Sequence, residues 1–126
     1  MIKLLNPESL ERNPAFAQGT LATGSRTIHV GGQNGIGQAG VMASGAPAQT
    51  AQALHNVLAV LNEGGADQTD VARLTVHLVE SVDPREAFGA VAGVWGPHPT
   101  AVTVLRVAGL ARPDALVEID AIAVVD

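Results

Sequence analysis

The chain has 126 residues, a hydrophobic fraction of 47% and a formal net charge of −5 at neutral pH. This length can bury a real core, and we predict one domain spanning residues 1–126. The acidic charge and scattered basic residues argue against a phosphate-backbone partner, so we expect no nucleic-acid binding. Because Cys is absent, a disulfide framework, a thiolate metal site and a thiol nucleophile are excluded.

Targeting, membrane and cofactor signals are missing from the sequence. Residues 1–13 contain no apolar core of the length a secretion signal needs, and no run approaches the roughly 20 apolar residues that span a bilayer. We therefore expect a cytoplasmic protein without a membrane partner. The four His residues lie far apart and the Gly-rich stretch carries no nucleotide-binding motif, so no metal and no cofactor are expected.

The first half of the chain begins with two short predicted strands. Ile2–Leu5 can form an edge strand, and Thr27–Val30 forms a second strand that should end at Gly31 and Gly32. Two adjacent glycines after a strand indicate unusual backbone angles or a close approach of the backbone to another group. The pair could offer N–H groups to a ligand, or it could serve a turn. A long loop or loose hairpin follows.

Two helices are predicted from apolar spacing and end signals. Ala46–Glu63 carries one apolar stripe with Pro in its first turn, and Gly64 and Gly65 should supply a left-handed stop. An Asp-Pro pair suits the start of a second helix, Arg85–Trp95, which should end at Gly96.

Three further strands complete the predicted order β, β, α, β, α, β, β. They are Val71–Val79, between the helices, then Val102–Val107 and Val117–Val125. This order predicts an α+β layer fold with both helices on one face of the sheet. Because the last two strands are apolar on both faces, the second face should also be covered, and we predict a homo-oligomer.

The last predicted strand places two carboxylates together. Glu118 and Asp120 alternate with apolar residues, so they should share one face about 6–7 Å apart while Val117 and Ile119 face the core. The two acids could simply be solvated, or they could line a cleft. The alternation alone leaves both interpretations open.

Several segments together resemble one known family. They run through most of the chain, over 13–18, 30–33, 54–61, 64–65, 70–71, 75–78 and 116–123. The last contains VEIDAIA, which is close to the C-terminal signature of the RidA/YjgF family, also called the Rid or endoribonuclease L-PSP family. The resemblance implies a chorismate-mutase-like (bacillus type) α+β fold with two helices on one face of a mixed sheet. It also implies a homotrimer with a barrel-like centre and small-molecule clefts between subunits.

The resemblance also implies an activity and a set of site residues. Family enzymes hydrolyse 2-imino or 2-enamino acids to 2-oxo acids and ammonia, with a Glu at the position of Glu118 that positions water. A Tyr and a Ser of the family align with Phe16 and Gly31, and a substrate-binding Arg aligns with Ala101 or Val102, depending on the direction of counting. The substrate-binding candidates are therefore Phe16, Gly31, Gly32, Ala101, Val102 and Val104.

The absent Arg leaves three hypotheses for the function. The first is an enamine/imine deaminase-type hydrolase in which Glu118 activates water. Arg106 could replace the absent Arg, or it could be a surface residue or part of an ion pair between subunits. The second is a non-catalytic or altered-specificity trimer that binds a small ligand. The third, a ribonuclease, is disfavoured by the acidic charge and the scarcity of base-stacking aromatics.

Overall fold

The computed structural model describes residues 1–126 as six strands, three α-helices and one 3₁₀ turn at Gln68–Asp70. The strands are β1 (Ile2–Leu5), β2 (Gly19–Ala22), β3 (Arg26–Asn34), β4 (Val71–Val79), β5 (Ala101–Val107) and β6 (Val117–Val125). The helices are α1 (Ala46–Glu63), α2 (Pro84–Gly89) and α3 (Val91–Trp95). None of the helices is both long and apolar enough to cross a lipid bilayer.

The main sheet is mixed, and its strand order is β3-β6-β4-β5. β6 pairs antiparallel with both β3 and β4, whereas β4 and β5 are parallel and are joined by the crossover through α2 and α3. β1 and β2 form a separate antiparallel pair. The helices lie on one face of the main sheet, so the predicted α+β architecture is confirmed.

The core lies between α1 and the sheet. Leu54, Val57 and Leu61 form the buried stripe of α1, each at most 1% exposed, and they pack in one cluster with the inward residues of β6. Burying one such branched side chain contributes about 1.5–3 kcal/mol. The predicted core positions Val117 and Ile119 are 0% and 1% exposed, which confirms the direction of the alternation.

The other face of the sheet carries no helix, and we name it the open face. Register partners in neighbouring strands share a face, which assigns its side chains from all four strands. They are Thr27, His29, Asn34, Arg73, Thr75, His77, Val79, Ala101, Thr103, Leu105, Val107, Glu118, Asp120, Ile122 and Val124. On β6 every one of these residues is only half-buried. The homotrimer expected to cover this face stays a prediction.

β3 does not end at the glycine pair, so the predicted strand end at Gly31 and Gly32 was wrong. Val30 pairs with Ala121 and Gln33 with Ile119, so β3 accommodates one extra residue in a bulge and continues to Asn34. Neither glycine has a positive φ. The ladder with β6 therefore prevails over the local signal for a strand end.

Two other elements differ from the sequence-based expectation. β2 was not predicted, because its four residues carry little pattern; it is held by pairing with β1 and by the Thr20 hydroxyl, which donates to the Ala72 carbonyl at 2.7 Å. The second helix is divided at Ala90 into α2 and α3, next to Gly89, a residue that costs about 1 kcal/mol in a helix interior. The predicted stop after α1 is confirmed, since Gly65 has φ 78°.

Candidate functional site

Glu118 lies at the centre of a row of polar side chains that crosses the open face. In register, its neighbours are Asn34 on β3 and His77 on β4, and all three residues are half-buried. His77 Nδ1 lies 3.3 Å from the Glu118 backbone carbonyl oxygen. We name Asn34, Glu118 and His77 the polar row.

The Glu118 carboxyl group rests against the backbone of β3. A Cβ built on Gly32 would lie 2.7 Å from Glu118 Cδ, closer than real Cβ atoms approach. A Cβ on Gly31 would meet nothing within 4 Å. Gly32 therefore provides the space that the carboxyl group occupies, whereas Gly31 has no such steric requirement.

Helix α1 fixes the end of β3 behind the polar row. The Asn56 side chain on α1 donates to the carbonyls of Asn34 and Ile36 at 3.1 and 2.9 Å. Gln52 Nε2 donates to Asn56 Oδ1 at 2.9 Å, and Asn34 Nδ2 donates to the Val117 carbonyl at 3.1 Å. Because these groups hold each other through hydrogen bonds, one end of the polar row is built on rigid elements.

The open-face carboxylates have no cationic partner within the protomer. The two ion pairs of the chain join Arg85 to Asp83 and Arg112 to Asp114, so neither contains Glu118 or Asp120. Arg73 is the one arginine on the open face, and its Nη2 donates to Thr103 Oγ1 at 2.6 Å. Glu118 is therefore available to a ligand or to water on this face.

Ala101 lies on the open face but at a distance from Glu118. Its register neighbour on β4 is Arg73, whereas His77 and Leu105 are the residues level with Glu118. Four residues along the strand and two strand spacings across separate Ala101 from Glu118 by about 16 Å. One protomer therefore does not bring these two candidates into a single site.

Strand alternation turns three other candidates away from the open face. Val102, Val104 and Arg106 are the register neighbours of Leu74, Val76 and Leu78, which are all buried under the helices. Val104 is 37% exposed, and the Arg106 guanidinium donates to the Glu80 carbonyl. Within one protomer these side chains do not join the site of Glu118.

Phe16 also lies apart from the polar row. It lines a cavity on the helix-covered side together with Val102, and the adjacent Ala17 N–H donates to the Thr100 carbonyl at 2.9 Å. The structure thus groups Glu118 with Gly31 and Gly32, and Phe16 with Val102. A site that contains both Phe16 and Glu118 requires a second copy of the chain.

The polar row contains two residues that were not among the sequence candidates. His77 and Asn34 are placed beside Glu118 by strand register, which a single strand pattern does not contain. The alternation within β4 does predict that His77 lies on the polar face of that strand, but it does not predict that His77 lies beside Glu118. No group of three His, Asp or Glu residues is arranged to hold a metal ion.

Solved structures with the same architecture indicate the class of protein. The chain is 30% identical to YyfB of Yersinia pestis, a Rid family protein of unknown function, with a TM-score of 0.87 and 98% of both chains covered. It is 26% identical to a putative endoribonuclease L-PSP from Entamoeba histolytica (TM-score 0.74; 99% and 100% covered). YjgF from E. coli is 25% identical (TM-score 0.73; 97% and 98% covered). These relatives define a Rid-type α+β domain.

The sequence model of the endoribonuclease L-PSP family matches residues 10–125. The chain belongs to this family, which also carries the names Rid and YjgF. The family assignment and the fold expected from the resemblance are therefore confirmed. Among curated proteins no significant match is found.

Proposed function

We propose that copies of this chain associate through the open face and hydrolyse an enamine or imine in the clefts between them, with Glu118 activating the water. The observation that carries the proposal is the position of Glu118. Its side chain is half-buried in the middle of a sheet face, rests against Gly32 and forms no ion pair. A carboxylate that packs against a glycine and forms no ion pair can accept a proton from water.

The proposed reaction converts a 2-imino acid and water into a 2-oxo acid and ammonia. The water oxygen bonds to the imine carbon while Glu118 takes one water proton, and the imine nitrogen receives a proton to give a carbinolamine. Glu118 passes the first water proton to the nitrogen as the carbinolamine forms. As the carbon–nitrogen bond then breaks, Glu118 takes the hydroxyl proton and gives it to the leaving nitrogen, so that ammonia and the carbonyl form and both water protons end on nitrogen. No oxidant, reductant or metal is needed to balance this sequence.

His77 is the second group of the polar row that can exchange a proton. A neutral imidazole donates through one ring nitrogen and accepts through the other. Since Nδ1 lies 3.3 Å from the Glu118 carbonyl, the ring is held level with Glu118 on the neighbouring strand. In this role His77 positions the water or the nitrogen that leaves.

Arg73 supports binding of the substrate carboxylate. It is the register neighbour of Ala101, where the family resemblance leads us to expect an Arg, and it lies on the same face one strand away, about 4.8 Å. A guanidinium binds a carboxylate through two parallel hydrogen bonds and stays charged. In the proposed assembly, Arg73 of one copy reaches the cleft that Glu118 of another copy lines.

The experiment measures pyruvate formed from freshly generated 2-aminoacrylate. The wild-type chain accelerates pyruvate release above the uncatalysed rate, and Glu118→Gln lowers this acceleration by about 100-fold or more, the contribution of a general base. Asp120→Asn is the matched control, because it removes a charge from the same face of the same strand. An unchanged rate in Glu118→Gln would contradict the assignment of the base.

A second candidate function is ligand binding without turnover. It is favoured by the absence of side-chain polar atoms at Phe16, Gly31 and Ala101. If the wild-type chain leaves the uncatalysed rate unchanged, a thermal-shift screen of neutral small molecules distinguishes this candidate. A stabilising ligand whose effect disappears in Glu118→Ala identifies the open-face cleft as its site.

A further inference from the structure

A cavity of about 330 Å³ lies on the opposite side of the sheet from Glu118. It is bounded by the sheet, by α2 and α3, and by the segment 14–16. Its deepest walls are core residues, since Leu54, Leu74 and Ile119 are 1%, 5% and 1% exposed. It is therefore a pocket into the hydrophobic core, separate from the open face.

The sequence explains why the space is not filled. The residues of α2, α3 and the following turn that face it include Ala87, Ala92 and Gly96, which have small side chains or none. The chain contains only two Phe, one Trp and no Tyr, so few large side chains are available to occupy the space. All three of these aromatic residues, Phe16, Phe88 and Trp95, line the cavity.

The lining determines the chemistry of an occupant. No Asp, Glu, Lys or Arg lines the cavity, and His98 is the one lining residue with a titratable side chain. The Thr50 and Thr100 hydroxyls donate to the carbonyls of Ala46 and Val71, each at 2.8 Å, so their oxygens remain available only as acceptors. An ion would exchange its hydration for one imidazole, that of His98, and mostly apolar walls, whereas a neutral ligand with one hydroxyl donor would be satisfied.

We propose that this cavity binds a neutral, compact apolar molecule, of the size of a fused bicyclic ring, that carries one hydroxyl group. Its volume lies at the lower end of ligand pockets, which begin at about 300 Å³, and is roughly twice that of an apolar cavity that takes up benzene. Phe88, which is 44% exposed, stands at the mouth on the short helix α2. A second copy of the chain does not suit the site, because a flat protein surface cannot reach the floor at Leu54.

Trp95 makes the proposal directly measurable. It is the single Trp of the chain, it lines the cavity and it is 4% exposed. Titration with 1-adamantanol should change the Trp95 emission saturably and raise the Tm. Adamantane-1-carboxylate, the anion built on the same cage, should bind at least about tenfold more weakly, because its charge would be desolvated against mostly apolar walls in which His98 is the one titratable side chain.

Two Val→Phe variants locate the binding site. Val91→Phe on α3 fills the cavity and should weaken 1-adamantanol binding by at least about tenfold, as should Ala92→Leu. Val60→Phe makes the same substitution on α1, outside the cavity, and should leave the affinity unchanged. Glu118→Gln should also leave the affinity for 1-adamantanol unchanged. The cavity proposal can therefore fail without contradicting the function proposed for the open face.

Three results would overturn the proposal. The first is the absence of a saturable response in the wild-type chain. The second is an equal affinity for the alcohol in Val91→Phe, Ala92→Leu and Val60→Phe. The third is loss of self-association in Val91→Phe but not in Val60→Phe by analytical ultracentrifugation, which would assign the cavity to a contact between copies.

Discussion

The two faces of β6 differ in where their cover comes from. Towards the helices, Val117, Ile119 and Val125 are at most 8% exposed, because α1 of the same chain packs on them. Towards the open face, Ile122 and Val124 are only half-buried although they are as apolar as their neighbours. The face towards the helices is covered within one protomer. The open face has the composition of a surface that another molecule covers.

The open face is itself divided along β6. On β6 itself, Ile122 and Val124 form an apolar half, although their register neighbours on β3 and β4 are Thr27, His29 and Arg73, and Glu118 and Asp120 form an acidic half. Apolar area supports association, and carboxylates left at its margin resist complete burial. The division therefore places the proposed cleft beside the proposed contact between copies.

The largest effect is expected from truncation of Ile119. Ile119→Ala removes a side chain that is 1% exposed and should lower the free energy of unfolding by about 2–5 kcal/mol. Ile122→Ala on the other face should cost less in dilute solution, and its cost should grow with protein concentration, because only the associated form buries it. Urea unfolding at two protein concentrations tests both variants. If both variants lost the same free energy of unfolding at both protein concentrations, the open face would not be covered by association of copies.

A charge in the apolar half of the open face should prevent association. Ile122→Asp places a carboxylate where the contact between copies is predicted, and the cost of desolvating a charge opposes burial strongly even with Arg73 as its register neighbour on β4. Sedimentation velocity should show assemblies for the wild-type chain and monomers for the variant. Val60→Asp, on the exposed side of α1, is the control and should sediment like the wild type. Unaltered assembly of Ile122→Asp would remove the open face as the interface.

The adjacent glycines of β3 should separate activity from stability. Gly32→Ala forces the Glu118 carboxyl group to move, because the new Cβ would lie 2.7 Å from Glu118 Cδ, whereas Gly31→Ala meets nothing. We expect Gly32→Ala to lose pyruvate-forming activity, with a stability change below about 1 kcal/mol because the displaced side chain is flexible. Gly31→Ala should keep the activity. Equal activities would show that the position of Glu118 does not matter to catalysis.

The smallest effect concerns the pH dependence of stability. It is expected at Asp67, whose side chain caps the start of the 3₁₀ turn Gln68–Asp70, away from both faces of the sheet. The hydroxyl and N–H of Thr69 donate to the Asp67 carboxylate and hold its pKa below the usual value of 3.8. Since the pKa is lower in the folded chain, this contribution to stability is present above pH 3.8 and is lost as the pH falls through the folded pKa. Asp67→Asn should therefore cost less than about 1 kcal/mol at neutral pH, and nearly nothing at the lowest pH at which the chain stays folded.

Thermal unfolding from neutral to acidic pH compares Asp67→Asn with Glu8→Gln, an exposed control that forms no side-chain hydrogen bond. The difference between Asp67→Asn and the wild type should narrow as the pH falls, whereas Glu8→Gln should follow the wild type throughout. A difference that widened towards acid would contradict the direction of the Asp67 pKa.

Local signals predicted the parts of the fold that local physics determines. The helix Ala46–Glu63 was predicted with its observed bounds, because an apolar stripe, a Pro in the first turn and a left-handed Gly65 all act within the segment. The continuation of β3 beyond Gly31 and Gly32 to Asn34 could not be predicted from such local signals. It depends on hydrogen bonds to β6, roughly ninety positions further along the chain.

The candidate site shows the same limit. Alternation within β6 predicted which face Glu118 occupies, but its neighbours Asn34 and His77 follow from the registers of two other strands. Strand register also decides on which face each of Ala101 and Val102 lies, the two candidates for the position of the family's substrate-binding Arg. Pairing of Ala101 with Arg73 places Ala101 on the open face, whereas Val102 faces the helices.

The central position of β6 has a consequence for how the protein is made. Arg26 at the start of β3 pairs with Val125, and β4 has no antiparallel neighbour until residues 117–125 are present. During synthesis, the edges of β3 and β4 that pair with β6 therefore stay without their partner until residues 117–125 have been made. Such distant pairings slow folding and leave the nascent chain exposed to aggregation, so we expect demand for a chaperone to be greatest just before β6 is released.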